Sequence, residues 1–438
     1  MINETHSPEL ASWVASANAQ STDFPIQNLP HGVFRRRGSG EAFRGGVAIG
    51  DTILDMRAAC AAGVFTGAER PGAQAASEQS LNGLMAMGPA AWSALRLRLS
   101  RVLREGAEEA GRLRDCLVPQ GDAEFALPAQ VGDYTDFFTS WHHMMNAGRI
   151  FQPNNPELPN FKWLPLAYHG RASSIAISGT PVRRLLGQSR ALGAEQPEFG
   201  PTQRLDYEME LGFFIGGGNK RGDAIPIEAA ESQIFGVCLL NDWSARDVQG
   251  WESLPLGPFL AKNFLTSISP WIVTLEALAP YRCALTRELG DPPAVGNLQH
   301  GNSMARAFDI QLAVNMRTVA SEAREMQLSR SSFKHCYWSL AQMVTHHAEG
   351  GCRLRPGDLM GTGTQSGPGA GEQGCLLELS QGGREPVHLD NGETRTYLED
   401  GDTVILRAWC HSPVYRRIGF GECVGTVLPA ASASRATR

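Results

Sequence analysis

The sequence contains no Cys-x-x-Cys pair, no Gly-x-Ser-x-Gly elbow, no phosphate loop ending in Gly-Lys-Ser/Thr, no internal repeat and no apolar run long enough to span a bilayer. Each absence closes a route. Nine scattered cysteines, an odd number, fit reduced thiols rather than a disulfide frame or a zinc site. The missing elbow and loop exclude a serine hydrolase of the α/β type and a P-loop enzyme. Positive charge is also short: the net charge is -6 and the pI about 6.0, against the basic footprint of a nucleic-acid binder. The opening Met-Ile-Asn-Glu-Thr-His-Ser-Pro lacks the charged-then-apolar plan of a signal peptide. The expectation is a cytoplasmic protein with no nucleic-acid or membrane partner.

What is present is globular, with 42% apolar and 19% charged residues in 438, too long for one ordinary core. Residues 1–20 read as loosely held. Short β-branched runs broken by Gly-Asp turns lie between Phe24 and Asp55, and Ala/Leu/Arg/Glu text at helical spacing covers 75–115, in two amphipathic pieces at 91–99 and 102–110. The rest is rich in Gly, Pro and β-branched residues, with one clear helical pattern over Ser332–His347. The expected fold is mainly β with some α, in two parts. A small N-terminal barrel with helices spans 1–128, a larger β-rich catalytic part spans 129–430, and a tail of 431–438 frays.

Acidic residues carry the chemistry. Glu208 and Glu210 lie two apart in Leu205-Asp-Tyr-Glu-Met-Glu-Leu-Gly-Phe-Phe-Ile215, whose alternation predicts a strand with both carboxylates on one face. Adjacent ionised carboxylates repel unless a cation or a shared proton compensates, and Ca²⁺ or Mg²⁺ is the simplest cation. A lone Glu-x-Glu is more often a solvated face, but this one has company. Asp136 stands seven residues before His143, a helical repeat if the stretch is helical. Asp242, Arg246 and Gln249 form a polar burst at the end of an apolar strand. Lys262 sits in an apolar, proline-stiffened run, and Glu378 in the apolar strand-like Cys-Leu-Leu-Glu-Leu. Singly, each has a plain explanation: a snorkelling lysine, a helix cap, a satisfied core histidine. Five such segments in one chain make a joint structural accident hard to sustain.

The strings that hold these residues are specific. Asp-Tyr-Thr-Asp-Phe (133–137), Tyr-His-Gly-Arg-Ala-Ser-Ser (168–174), Asn-Asp-Trp-Ser-Ala-Arg-Asp (241–247), Pro-Leu-Gly-Pro-Phe-Leu (255–260) and Leu-Arg-Pro-Gly-Asp-Leu (354–359) resemble the fumarylacetoacetate hydrolase family, from about Phe24 to Ala430. The resemblance implies an N-terminal SH3-like β-barrel, a C-terminal β-roll domain and a homodimer. It implies Asp136, Glu208, Glu210 and Asp242 as ligands of an active-site Ca²⁺ or Mg²⁺, and a second, structural Mg²⁺ touched by Asp242, Lys262 and Thr266. It makes His143 the base on water with Glu378 orienting it, and Arg246, Gln249 and Lys262 donors to developing negative oxygen. Tyr168 and Thr364 match substrate-side positions. The implied reaction is hydrolysis of a carbon–carbon bond in a 1,3-diketone or β-diketo acid.

Three substrate-side positions depart from the family. Phe138 and Ser253 stand where it has tyrosines, and Gln152 where it has an arginine, so a cation and two hydroxyls are missing. Either the change is neutral drift, or catalysis is retained and the recognised acyl group has become less charged, with Arg149 a possible substitute cation. The rival on the same site is a decarboxylase or keto–enol isomerase. A non-heme iron site would need a second histidine beside His388-x-Asp390, which reads as a surface turn.

Overall fold

A computed structural model describes residues 2–285, 287–301 and 305–431, so the tail expectation at 432–438 lies outside the described residues. The N-terminal strands His31–Arg36, Arg44–Ile49 and Thr52–Asp55 form a meander. With Leu117–Pro119 and Ala123–Ala126 they build one five-stranded antiparallel sheet. Helix Pro89–Leu103 packs on it through Leu95, Leu99 and Leu103. The second expected helical piece is absent: the helix stops at Leu103, and Arg104 turns extended to bridge Ser12. Residues 2–20 are not loose. His6 is buried and its ring bonds the Glu276 carbonyl at 2.7 Å.

The larger part carries two sheets. One is eight-stranded, with a main path through Leu166–Gly170, Tyr134–Phe138, Leu359–Gly361, Met209–Ile215, Ile234–Asp242, Thr266–Ile268 and Ile175–Ile177. The other joins Met326–Ser332, Ile310–Arg317, Thr403–Cys410, Ile418–Leu428 and Val182–Arg183. The two-residue period of strands sorts the eight-stranded sheet's side chains into two cores. Phe213, Val237 and Leu239 meet Leu312 and Leu406 of the second sheet. Phe214, Cys238, Leu240 and Leu359 pack instead against Val47, Leu84 and Leu99 of the N-terminal part. We keep the division at 128/129 as a proposal, because apolar packing runs across it. The expected class, mainly β with an N-terminal barrel-like sheet and a larger C-terminal part, describes this architecture. No helix among the described residues is long and apolar enough to cross a membrane.

Three local expectations are corrected. The helix placed over Ser332–His347 begins only at Leu340, where Ser339 caps it by accepting from Gln342 N at 3.2 Å; Ser332 ends a strand. Asp136 and His143 share no helix: Asp136 is on the strand Tyr134–Phe138, and His143 is on the helix Trp141–Phe151, started by Ser140. Glu378 sits on a single helical turn, Leu376–Leu379, rather than a strand.

Candidate active site

One face of the eight-stranded sheet changes character along its length. Tyr134, Phe214, Cys238, Leu240 and Leu359 make it apolar where it meets the N-terminal core. On the same parity, further along, it carries Asp136, Glu210 and Asp242. Register brings them together: Gly361 pairs with Asp136, Gly212 with Gly361, Glu210 with Leu240, and Asp242 with Thr266. Gly361 shares this face, and a Cβ there would collide with Asp136 Oδ1 and stand 3.0 Å from Glu210 Oε2. Glycine leaves the space that the carboxylates fill. Glu208 joins them from a break between Leu205–Asp206 and Met209–Ile215, so the predicted single strand is two, and all of 205–215 is buried.

The four carboxylates offer ligand atoms within 4.8 Å of one another, all buried. Their compensation is uneven. Glu208 accepts from Arg246 Nη1 at 2.7 Å and from Lys262 Nζ, and Asp242 accepts from Lys262 Nζ at 2.8 Å and Tyr168 OH at 2.6 Å. Thr266 adds a 3.3 Å bond to Asp242. Burial raises the Glu208 carboxyl, but Lys262 and Arg246 outweigh that and hold it below its ordinary value. Asp136 and Glu210 have no such partners. Glu210 Oε2 accepts only from Gly363 N at 2.9 Å, while Glu210 Oε1 and Asp136 Oδ1 are buried without any hydrogen-bond partner. Burial, then the neighbouring carboxylates, push both well above their ordinary values. Orphaned carboxylate oxygens converging with two neighbours paired to Lys262 make a hard, all-oxygen donor set, which fits Ca²⁺ or Mg²⁺.

Beside them, His143 Nδ1 lies 2.6 Å from Glu378 Oε1. Ser366 Oγ donates to the same oxygen at 2.8 Å and Asn146 Nδ2 to the other at 2.7 Å. Burial raises Glu378, but His143 and those donors prevail, so it lies below its ordinary value. A carboxylate on Nδ1 fixes the tautomer and turns Nε2 toward the cavity. Arg246 links the two halves. Its Nε bonds Asp206 at 2.9 Å and its Nη1 bonds Gln249 Oε1 at 3.2 Å, while Nη2 has no partner. Asp206 also accepts from Leu376 N and Leu377 N at 2.8 and 3.0 Å, tying Arg246 to the turn that carries Glu378. Sequence reasoning passed over Asp206, although it shares the parity of the Glu pair. It also missed Asn146 and Ser366, which no local pattern marks.

A cavity of about 620 Å³ joins these groups. Asp136, Glu208, Glu210, His143, Arg246, Gln249 and Lys262 line it, as do Phe138, Gln152, Tyr168 and Thr364. Two expected site residues are elsewhere. Ser253 is not on the wall; its hydroxyl donates to the Gln249 carbonyl at 2.6 Å and closes the helix Arg246–Glu252. Thr266 reaches the site only through Asp242. Arg149 is exposed and bonds Asn146 at 3.4 Å, away from the cavity.

The fold and this site define a two-part, acid-lined enzyme of one architecture, and comparison with known proteins gives its family. The Fumarylacetoacetate (FAA) hydrolase C-terminal profile matches residues 135–428, and the Fumarylacetoacetase N-terminal profile matches 27–128. The chain belongs to the fumarylacetoacetate hydrolase family. It is 46% identical over 423 residues to "Fumarylacetoacetase" of Oryza sativa subsp. japonica, covering 94% of this chain and 96% of that one. It is 47% identical to the Caenorhabditis elegans protein of the same name and 45% to the Homo sapiens one, each covering 94% of this chain and 98% of the relative. A putative HpcE protein from Mycobacterium smegmatis shares the fold at TM-score 0.51 and 18% identity, over 91% of this chain and 99% of that one.

Proposed function

We propose that the chain hydrolyses a carbon–carbon bond of a 1,3-diketone or β-diketo acid with water activated by His143, beside one dication held by Asp136, Glu208, Glu210 and Asp242. Family membership makes it a hydrolase acting on carbon–carbon bonds in ketonic substances. The observation that carries the finer reading is the pair of orphaned oxygens, Asp136 Oδ1 and Glu210 Oε1, on residues lining the same cavity as His143. A bound Ca²⁺ or Mg²⁺ would supply Lewis acidity toward the diketone oxygens. A second, structural Mg²⁺ touched by Asp242, Lys262 and Thr266 stays part of the proposal, with Thr266 Oγ1 3.3 Å from Asp242.

His143 Nε2 takes one proton of water, and the remaining hydroxyl adds to a carbonyl carbon. When the tetrahedral adduct collapses, the electron pair of the carbon–carbon bond leaves with the departing carbon as an enolate. The His143 imidazolium returns the proton to that carbon, so water is consumed and a carboxylic acid and a ketone are released. Glu378 holds the imidazole and stabilises its charged form. Arg246 Nη2, the Gln249 amide and Lys262 supply donors to the negative oxygens, with Tyr168 and Thr364 on the substrate side. The homodimer is carried forward as part of this proposal. Turnover of a 1,3-diketone in oxygen-labelled water tests the reaction: one labelled oxygen in the acid product supports hydrolysis, whereas an unlabelled product indicates decarboxylation or isomerisation.

A further inference from the structure

The cavity is polar at one end and apolar at the other, and the helix Trp141–Phe151 measures its length. Its residues His143, Met144, Ala147, Gly148, Phe151 and Gln152, the last just past its end, all line the cavity, the spacing of one helical face. At about 1.5 Å per residue, Phe151 stands about 12 Å along the axis from His143. Between them this face offers only a thioether, a methyl group, a glycine and a phenyl ring. Leu158, Leu166 and Leu256 line it as well. At the mouth Phe151 is 60% and Leu256 96% exposed, so the apolar lining continues to the rim.

Nothing in this far half compensates an anion. The cavity's two strong cations are at the acidic end, where Arg246 is committed to Asp206 and Glu208, and Lys262 to Glu208 and Asp242. Arg149, the only arginine or lysine on the helix, is exposed and off the wall. The helix also ends here, and the negative end of its dipole disfavours an anion. Gln152, neutral and exposed, is the one polar side chain of this helix and its C-cap beyond His143 on the wall. Phe138 adds a ring 5.2 Å from that of His143, edge to face, where the acyl arm would leave the reacting carbonyl.

Resting on the hydrolase reading above, we infer that the substrate is a 1,3-diketone whose acyl arm, running from His143 past Phe138 to Gln152, is uncharged and apolar rather than carboxylate-terminated. The arm replaces water along the helix face, and a carboxylate at its tip would be desolvated against Leu158 and the helix C-terminus without a counter-ion. The other side of the diketone, next to Arg246, Lys262 and Thr364, remains the polar side.

The test uses two synthetic 1,3-diketones alike in head group and arm length, one arm ending in methyl and the other in carboxylate. The metal-loaded protein is expected to favour the methyl arm at least about 10-fold in kcat/KM, and Gln152→Arg to move that ratio about 10-fold toward the carboxylate. Preference of the unaltered protein for the carboxylate arm overturns the inference, and a ratio unmoved by Gln152→Arg overturns the placement of the arm. Should neither compound be cleaved, the hydrolase reading fails, and calorimetric binding of the same pair still reads the arm preference without turnover.

Discussion

Glu378 and Glu210 are equally buried, each at 0% exposure, and belong to one cavity wall or its immediate backing, yet they are finished differently. Glu378 receives His143, Ser366, Cys375 and Asn146 across its two oxygens. Glu210 receives one backbone N–H and keeps an orphaned oxygen. A buried carboxylate is tolerable when its lone pairs are satisfied and costly when they are not. The His143–Glu378 region is therefore complete as folded, whereas the four-carboxylate region still needs compensation by a proton or, on the proposal above, by a dication. His31 shows a third solution. Burial, with Arg96 nearby, lowers its imidazole to about 4, so it stays neutral with Nδ1 unpartnered.

The largest expected effect breaks the incomplete region. Asp136→Asn or Glu210→Gln removes a charge from the dication's donor set, and kcat/KM should fall by roughly 10⁴-fold, several kcal/mol of lost charge stabilisation. Calorimetric titration of the same variants with Mg²⁺ should show the binding lost as well. Glu378→Gln comes next. It leaves the metal site intact but cannot stabilise the imidazolium, so kcat should fall about 10³-fold, with dication binding retained in the same titration.

Stability separates the regions at a smaller scale. His31 contributes first: its folded pKa is depressed from 6.5 to about 4, so below pH 6.5 the unfolded chain binds a proton that the folded chain refuses. Stability should be fully present above pH 6.5 and decline as pH falls toward 4, by about 3 kcal/mol at most. Chemical denaturation of the protein and of His31→Phe between pH 7 and 4.5 checks this; the variant should lose that part of the slope. The last contrast is one of sign. In metal-free protein Glu210→Gln should raise stability by about 1 kcal/mol by removing a carboxyl whose ionisation burial and its neighbours oppose, whereas Glu378→Gln should lower it by about 2 kcal/mol by leaving His143 and Asn146 unmatched. Thermal unfolding in chelator reads both.

The acidic centre was legible because its residues sit on strands or, for Glu208, in a two-residue break between them, where a two-residue period and a strand ending in polar residues mark a face and an end. Glu208, Glu210 and Asp242 were visible for that reason, and Asp136 through the string around it. Secondary structure near the base was not legible. A four-residue turn at Leu376–Leu379 leaves too little pattern to tell from a strand, and Asp136–His143 matched a helical spacing across a strand, a Ser140 cap and a new helix. The start of the Leu340–Ala348 helix was hidden by apolar residues upstream, while the Ser339 cap set it. Asp206, Asn146 and Ser366 act through partners up to 232 residues away, and contacts of that range have no local signature. The apolar far half of the cavity was foreshadowed by Phe138 and Gln152. Ser253 pointed the same way for a reason the sequence hides, since its hydroxyl serves a helix end rather than a ligand.

Titration of chelator-treated protein with Ca²⁺ or Mg²⁺, followed by calorimetry and turnover together, addresses the four-carboxylate region most directly. The account predicts one dication per chain at the active site, activity restored in proportion to occupancy, and neither in Asp136→Asn. Full diketone hydrolysis by chelator-treated protein with no ion bound would contradict it.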